Sequence, residues 1–320
     1  MDRTRPLTIA SRRSALAMAQ TSEIGRRLEV ALGVPVSVLE VVSHGDVDLR
    51  DLTTIGGTGV FVSALRAALH DGSADLAVHS FKDLPVGDEA GLTIAAVPPR
   101  EDPSDVLVSA GSVSLGDLPA GARVGTGSPR RAVQLRALRP DLEVVPVRGN
   151  VDTRITKVRG GELDAVVLAR AGLARLGRLS EVAYTFGHDE MVPAPGQGAL
   201  AIECRAADVE LAEGLRAALD DAPTRACVEA ERAVLAELEA GCSAPIGASA
   251  EIDGDSIVLT AVVGERLRHR EAGALSAARH LGVRVASELL RQGAKQVMAH
   301  PATDGYHPGR TSAGPSMETD

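Results

Sequence analysis

Tryptophan is absent from this 320-residue chain, and there are only two tyrosines and three phenylalanines. A core without many aromatic rings has to be assembled from Val, Leu, Ile and Ala. Lysine is almost as scarce: Lys82, Lys157 and Lys295 are the only three among 34 basic residues, and the others are arginines. With so much alanine, that bias fits a GC-rich coding sequence more than a function. Positive charge is in deficit overall, with a formal net charge of −9, which argues against a general binder of nucleic acid or anionic membrane. No apolar run is long enough to span a bilayer, and no N-terminal stretch shows the charged, apolar and cleavage regions of a secretory signal. The three cysteines (Cys204, Cys227, Cys242) leave one unpaired in any disulfide scheme, and their spacing suits no zinc site. The expectation is a cytoplasmic protein with reduced thiols and no metal, nucleic-acid or membrane partner.

What is present points to an α/β protein of about two to three domains, with an ordinary apolar fraction of 44%. Strand patterns at 7–10, 36–42, 75–78 and 93–97 alternate with helical periods, one running to about Leu32 and one from Val60 to about His70. Such alternation predicts a mostly parallel sheet covered on both faces. A charged, Pro-rich break at 98–103 leads into a second series, with strands at 105–109, 123–126, 142–147 and 164–168 and helices at 129–139, 150–160 and 171–177. Another Pro/Gly break at 192–198 precedes a strand at 199–203. Two similar lobes joined by two breaks predict a cleft between them. The run 206–240 reads as helical, and strands at 248–252 and 257–263 with a helix at about 275–292 predict a small α+β third domain. The tail from about His300 has the composition of a disordered segment.

Three places carry candidate chemistry. In Val78-His79-Ser80-Phe81-Lys82-Asp83-Leu84-Pro85, an apolar strand delivers polar side chains where α/β sheets bind ligands. Asp83 beside an ammonium suits handling an amine leaving group and the cation left behind; an exposed turn pair is the competing reading. In Gly125-Thr126-Gly127-Ser128-Pro129-Arg130-Arg131, Ser128 suits an N-cap and Pro129 the first helical position. The free N–H groups there make an anion site, and each guanidinium can grip a carboxylate with two hydrogen bonds. Between Arg123 and Arg178 twelve basic residues face five acidic ones, an excess of seven inside an acidic chain. RNA would need base-stacking aromatics that this lobe lacks outside Tyr184 and Phe186, so a small polyanion is favoured. Cys242, in the shaped loop Gly241-Cys242-Ser243-Ala244-Pro245-Ile246-Gly247, is a nucleophile, an attachment point or a plain small residue in a turn.

Together these stretches, with Arg148-Gly149-Asn150-Val151-Asp152-Thr153-Arg154 and Pro195-Gly196-Gln197-Gly198-Ala199, resemble the porphobilinogen deaminase (hydroxymethylbilane synthase) family from about Leu7 to His300. The resemblance implies an enzyme that condenses four porphobilinogen units head to tail, with loss of ammonia, into 1-hydroxymethylbilane. It implies a dipyrromethane cofactor joined by a thioether to Cys242, and Asp83 as the catalytic aspartate. By motif match, Lys82, Asp83, Thr126, Ser128, Arg130 and Arg131 hold the cofactor. Arg12, Ser14, Gln20, Arg148, Arg154, Arg175 and Gln197 hold substrate or guide the lengthening chain. The fold implied is two lobes resembling type II periplasmic binding proteins plus a small α+β domain. The domains are then 1–98 with 199–218, 99–198, and 219–300, with 301–320 a tail. A monomer that hands its product to uroporphyrinogen-III synthase completes the expectation.

The chain departs from the commoner family pattern at Thr58, His44, Gly127 and Pro129, where relatives often have Lys, Arg, Ser and Leu. None of these touches Asp83, Cys242 or the paired arginines. A non-catalytic anion-binding protein on the same fold would explain the arginines but gives no reason for Lys82-Asp83 or the Cys242 loop. A thiol enzyme using Cys242 as nucleophile predicts no bound pyrrole.

Overall fold

A computed structural model of the protein describes residues 5–41, 60–241 and 244–299. His44, the Gly-rich loop with Thr58, Cys242 and the tail from His300 lie outside the described residues. The first series contains β1 (Leu7–Arg12), α1 (Ala15–Leu32), β2 (Val36–Val41), α2 (Val60–His70), β3 (Leu76–Ser80) and β4 (Leu92–Ala96). The second contains β5 (Asp105–Ser109), β6 (Arg123–Thr126), α3 (Pro129–Leu138), β7 (Glu143–Pro146), α4 (Val151–Arg159), β8 (Ala165–Ala169), α5 (Arg170–Arg175) and β9 (Tyr184–Thr185). Then come β10 (Leu200–Arg205), α6 (Val209–Leu219), α7 (Ala222–Glu237), β11 (Ile246–Asp253), β12 (Ser256–Val263), β13 (Leu267–Ala274), α8 (Ala278–Arg291) and α9 (Ala294–Ala299).

Two five-stranded sheets share one plan. The first has the order β2-β1-β3-β10-β4 and the second β7-β6-β8-β5-β9. In each, four strands run in one direction, and the fifth, the strand that follows a Pro-rich break, lies antiparallel to its two neighbours. The sheets are therefore mostly parallel, as the alternation implies, with one reversed strand each, because a strand entering from the other lobe arrives at the opposite end of the sheet. β10 inserts between β3 and β4, so the chain returns to its first sheet after building the second.

Both faces of each sheet are covered. In the first, Leu76, Val78 and Ile202 pack with Ile24, Leu28 and Leu215 of α1 and α6, and on the other face Ala10 and Ala77 pack with Leu65 and Leu69 of α2. In the second, Val124 and Val167 meet Leu135 of α3, while Val106 and Val166 meet Ile155 of α4. In the third unit, Val234, Leu281, Val285 and Leu289 of α7 and α8 lie on Ile257, Leu259 and Ala261 of the sheet β11-β12-β13. Aliphatic side chains of this kind each contribute about 1.5–3 kcal/mol when fully buried, so the shortage of aromatic rings is met by number.

Polar residues set the element ends. Ser14 caps α1, accepting from Ala17 N at 3.3 Å, and Ser128 caps α3 with Pro129 in its first turn. Asn150 caps α4. The run 206–240 is not one helix: Asp220 takes the N–H of Val97 at 2.7 Å, and Asp221 starts α7 afresh by accepting from Thr224 N at 2.9 Å. The strand expected at 75–78 runs on to Ser80, and β9 and β13 add to the elements expected from the pattern. No described helix is long and apolar enough to cross a membrane.

Candidate active site

The two sheets meet where β3 ends. His79 and Ser80 stay in the strand because each polar side chain finds a buried partner. His79 Nε2 lies 3.1 Å from Glu203 on β10, and Gln20 of α1 donates to Ser80 Oγ at 3.0 Å. A single 3-10 turn, Phe81–Asp83, follows before Pro85. It is pinned from three sides. Phe81 N donates to Ala199 O at 3.0 Å, the Phe81 ring lies 4.9 Å beneath the Arg232 guanidinium, and Arg232 donates to the carbonyls of Leu84 (3.1 Å) and Pro85 (2.5 Å). On this held turn Asp83 is exposed, and no hydrogen bond or ion pair engages its carboxylate among the described residues.

Lys82 points inward, donating from Nζ to Gln197 Oε1 at 3.2 Å. Burial, and after it the neighbouring Arg131, push its pKa down to about 8, against the opposing pull of Asp83 and Asp105. Gln197 is fully buried and uses both ends of its amide. Oε1 takes Lys82 and, at 3.4 Å, Arg131; Nε2 donates to Pro103 O at 2.6 Å and to Asp105 Oδ1 at 2.8 Å. It is a bridge between the lobes.

Asp105, at the first position of β5 and 0% exposed, gathers both arginines of the capped turn. Arg130 Nη1 lies 2.7 Å from Oδ2, and Arg131 reaches Oδ1 with Nε at 2.9 Å and Nη2 at 2.7 Å. Burial alone would raise the Asp105 pKa, but the two guanidinium charges and their hydrogen bonds hold it well below the usual carboxylate range. Burial in turn lowers the pKa of Arg130 despite the nearby carboxylate. The side chains expected to receive a ligand's carboxylates are thus buried and share one internal carboxylate. Arg130 Nε is also buried and has no hydrogen-bond partner among the described residues.

Ser128 Oγ is the N-cap of α3, accepting from Arg131 N at 3.4 Å, and Thr126 Oγ1 accepts from Ser128 N at 3.2 Å inside the same turn. Arg148 is exposed at the next strand-to-helix turn, and Arg154 Nε donates to Gly149 O at 2.8 Å. Gly127 links the two turns: a Cβ there would stand 2.8 Å from Val147 O and 3.7 Å from Arg154 Nη2. Arg175 crosses to the second break, donating to Gly198 O at 2.7 Å, while its buried Nε has no partner among the described residues. Burial lowers the Arg175 pKa, opposed by Glu23 and Glu101. Arg12 is half-buried at the end of β1, and Ser14 caps the helix that follows. Lys82, Arg130, Arg131 and Gln197 therefore form one connected cluster, with Arg175 one residue along at Gly198; Arg148 and Arg154 form a neighbouring turn. Cys242 lies outside the described residues.

Several residues escaped sequence reasoning. Asp105 is one. Glu231 of α7 is another: fully buried, it accepts from Arg100 Nη1 (2.6 Å) and Nη2 (3.1 Å), Gly196 N (2.6 Å) and Ala250 N (2.8 Å), tying both Pro-rich crossings to the third unit. The two crossings touch so closely that only glycine fits at 198: φ is +87°, and a Cβ would lie 2.3 Å from Glu101 O. Arg100 was visible as part of a charged break, but nothing near it in sequence identified Glu231.

Comparison with known proteins matches residues 7–213 to the family described as "Porphobilinogen deaminase, dipyromethane cofactor binding domain", and residues 225–291 to "Porphobilinogen deaminase, C-terminal domain". Porphobilinogen deaminase of Thermobifida fusca is 49% identical over 312 residues, covering 93% of this chain and 98% of the relative. That of Mycobacterium marinum is 50% identical over 306 residues, covering 91% and 96%. Among solved structures, the periplasmic VFT2 domain of Bordetella pertussis BvgS aligns with a TM-score of 0.41 at 17% identity, over 66% of this chain and 86% of that one.

Proposed function

Since the chain belongs to the porphobilinogen deaminase family, we propose that it joins four porphobilinogen molecules head to tail into 1-hydroxymethylbilane with Asp83 at the reacting centre. In each coupling the substrate's aminomethyl C–N bond breaks, and the amine leaves as ammonia. A C–C bond forms between the methylene carbon and the free α-carbon of the preceding pyrrole, which then loses its proton. Release of the finished chain breaks the bond between the first unit's methylene carbon and the α-carbon to which it was joined, with the hydroxyl of a water going to the methylene and a proton returning to that α-carbon.

Asp83 suits this sequence because its carboxylate is exposed on a turn pinned by Ala199 and Arg232, with no other partner to satisfy among the described residues. A preorganised anion there steadies the methylene-pyrrole cation left when ammonia departs, and it sits beside both protons that move. Lys82, Arg130 and Arg131, with Thr126 and Ser128 shaping their turn, hold carboxylates. Arg12, Ser14, Gln20, Arg148, Arg154 and Arg175 are assigned to incoming substrate and the lengthening chain. Gln197 bridges the two lobes.

A dipyrromethane, carried as a thioether on Cys242, supplies when bound the free α-position from which the chain is primed. Its acetates and propionates fit the donor set: three cations meet one internal carboxylate, and Arg130 Nε is buried and unpartnered among the described residues. That excess of buried positive charge beside an unengaged Asp83 is the observation that carries the reading.

We also assign the division into 1–98 with 199–218, 99–198 and 219–300, supported by β10 lying between β3 and β4. A cytoplasmic site of action and hand-over of the product to uroporphyrinogen-III synthase complete the proposal. The test is intact-protein mass spectrometry of wild type and Cys242→Ser from a pyrrole-making host. The expected result is a wild-type mass raised by two linked pyrroles, stable to reductant and absent from the variant. A wild-type mass that stays unmodified after porphobilinogen is added would sink the reading.

A further inference from the structure

We propose that Asp105 is a positioning residue for this reaction: its buried carboxylate is the internal counter-ion that lets Lys82, Arg130 and Arg131 stand together as cations in one desolvated cluster. The inference rests on the functional reading above and deepens it, since it concerns how a polycarboxylate site keeps its charge.

The geometry is specific. Oδ2 of Asp105 takes Arg130 Nη1, and Oδ1 takes Arg131 Nε and Nη2 together with the Gln197 amide. Through Gln197, whose Oε1 accepts from Lys82 Nζ at 3.2 Å, the carboxylate is wired to a lysine on the other lobe. The group is 0% exposed, so water does not share the task. Like charges in a low-dielectric cluster disfavour one another. Among the described residues, the charges that act on Lys82 include Asp83 on its own turn, Asp105 on β5, and Arg130 and Arg131 on α3. Guanidinium groups keep their protons under all ordinary conditions, whereas a buried ammonium gives its proton up readily. Remove Asp105, and Lys82 is the cation that disappears. The direction of the Lys82 pKa agrees, being pushed down by burial and Arg131 and pulled up by Asp83 and Asp105.

The two arginines show the other half of the device. A carboxylate serving only to bury one guanidinium needs one partner; Asp105 has two, and the Arg130 Nε edge remains unpaired among the described residues. Asp105 thus neutralises part of the cluster while leaving donors for a ligand.

The experiment measures the pH dependence of Lys82 acylation by peptide mass spectrometry. It uses the full chain carrying Cys242→Ser, so that no thioether-held ligand adds carboxylates. With only three lysines in the chain, Lys157 and Lys295 serve as internal references. The midpoint for Lys82 is expected near pH 8. Asp105→Asn is expected to move it down by about one pH unit, roughly a tenfold rise in reactive amine below the midpoint, with the reference lysines unmoved. Because Asp105→Asn leaves two buried guanidinium charges uncompensated, the same comparison is made between Arg131→Gln and Arg131→Gln/Asp105→Asn, where the second change again lowers the midpoint. A Lys82 midpoint that does not fall on losing Asp105, in either pair of folded proteins, overturns the proposal. None of these readouts depends on turnover or on a bound pyrrole, so a failed mass-spectrometric test of the function leaves this one intact.

Discussion

The two lobes each bury a carboxylate under an arginine, and the two clusters come out differently. In the first lobe Glu203 of β10, 2% exposed, takes Arg66 of α2 through Nε and Nη2 and has His79 Nε2 at 3.1 Å; Arg66 also reaches Glu89 at 2.8 Å. There the one guanidinium, Arg66, is already met by two carboxylates, Glu203 and Glu89, so no positive charge is left over. In the second lobe Asp105 faces two arginines and, through Gln197, a lysine. Cations outnumber the anion by three to one. A balanced cluster is a clamp that holds α2 against β3 and β10. An unbalanced one stores positive charge that something from outside must complete. Burial alone distinguishes neither, because both carboxylates are nearly inaccessible.

The comparison can be broken by removing charge from each place in turn. The largest effect is expected at the anion that neither cluster engages. Asp83→Asn should lower turnover by about 10²–10³-fold while the melting temperature stays within about a degree, because the side chain is exposed and touches no described partner. A large loss of stability instead would make Asp83 part of the scaffold.

Next comes the clamp. Glu203→Gln leaves Arg66 and His79 buried with a weaker partner and is expected to cost about 2–4 kcal/mol of unfolding free energy in denaturant titration, with turnover per folded molecule largely kept. This variant also carries a pH signature. Burial would raise the Glu203 pKa, but hydrogen bonds and charge from His79 and Arg66 hold it below the ordinary value. Its stabilisation is therefore complete above the unfolded-state pKa of about 4.3 and fades as pH falls through the lower folded-state value. The gap between wild type and Glu203→Gln should narrow below about pH 4 and be constant above it. A gap that persists unchanged in acid would remove the charge argument.

The smallest effect is at the rim. Arg148→Gln, at an exposed position, is expected to raise KM about three- to tenfold with stability unchanged, as measured by steady-state kinetics and a thermal melt. An effect as large as that of Asp83→Asn would place Arg148 in the reacting centre.

Much of this architecture was legible in the chain. The Ser128-Pro129-Arg130-Arg131 turn announced its cap and its helix, because the signals are local and each side chain acts within a few residues. The two Pro-rich crossings were equally plain. Asp105 and Glu231 were not, since their partners lie far along the chain and only the fold brings them near: Arg130 is 25 residues from Asp105, and Arg100 is 131 residues from Glu231. Glu203 sat at the end of an apolar run without showing which side chains faced it. The strand direction of β10 was equally silent, since alternation in a sequence carries no arrow. β13, Leu-Arg-His-Arg-Glu-Ala-Gly-Ala, has no β-branched residue to mark it; it is a strand because all eight of its residues pair with β12. Gly127, noted as a departure from the commoner pattern, gains a physical reason: the Val147 carbonyl occupies the space of a side chain.

Glu231 has a mechanical meaning beyond its hydrogen bonds. It grips Arg100 on one crossing, the Gly196 N–H on the other, and Ala250 of the third unit. A rotation of one lobe against its neighbour about these two strands would have this carboxylate on its axle. The third unit is fastened there, and further along it is held to both lobes, by Arg232 on the carbonyls of Leu84 and Pro85 and by the Ala248 N–H on Pro193 O at 2.9 Å. One buried carboxylate thus serves as the common fastening of three parts of the chain.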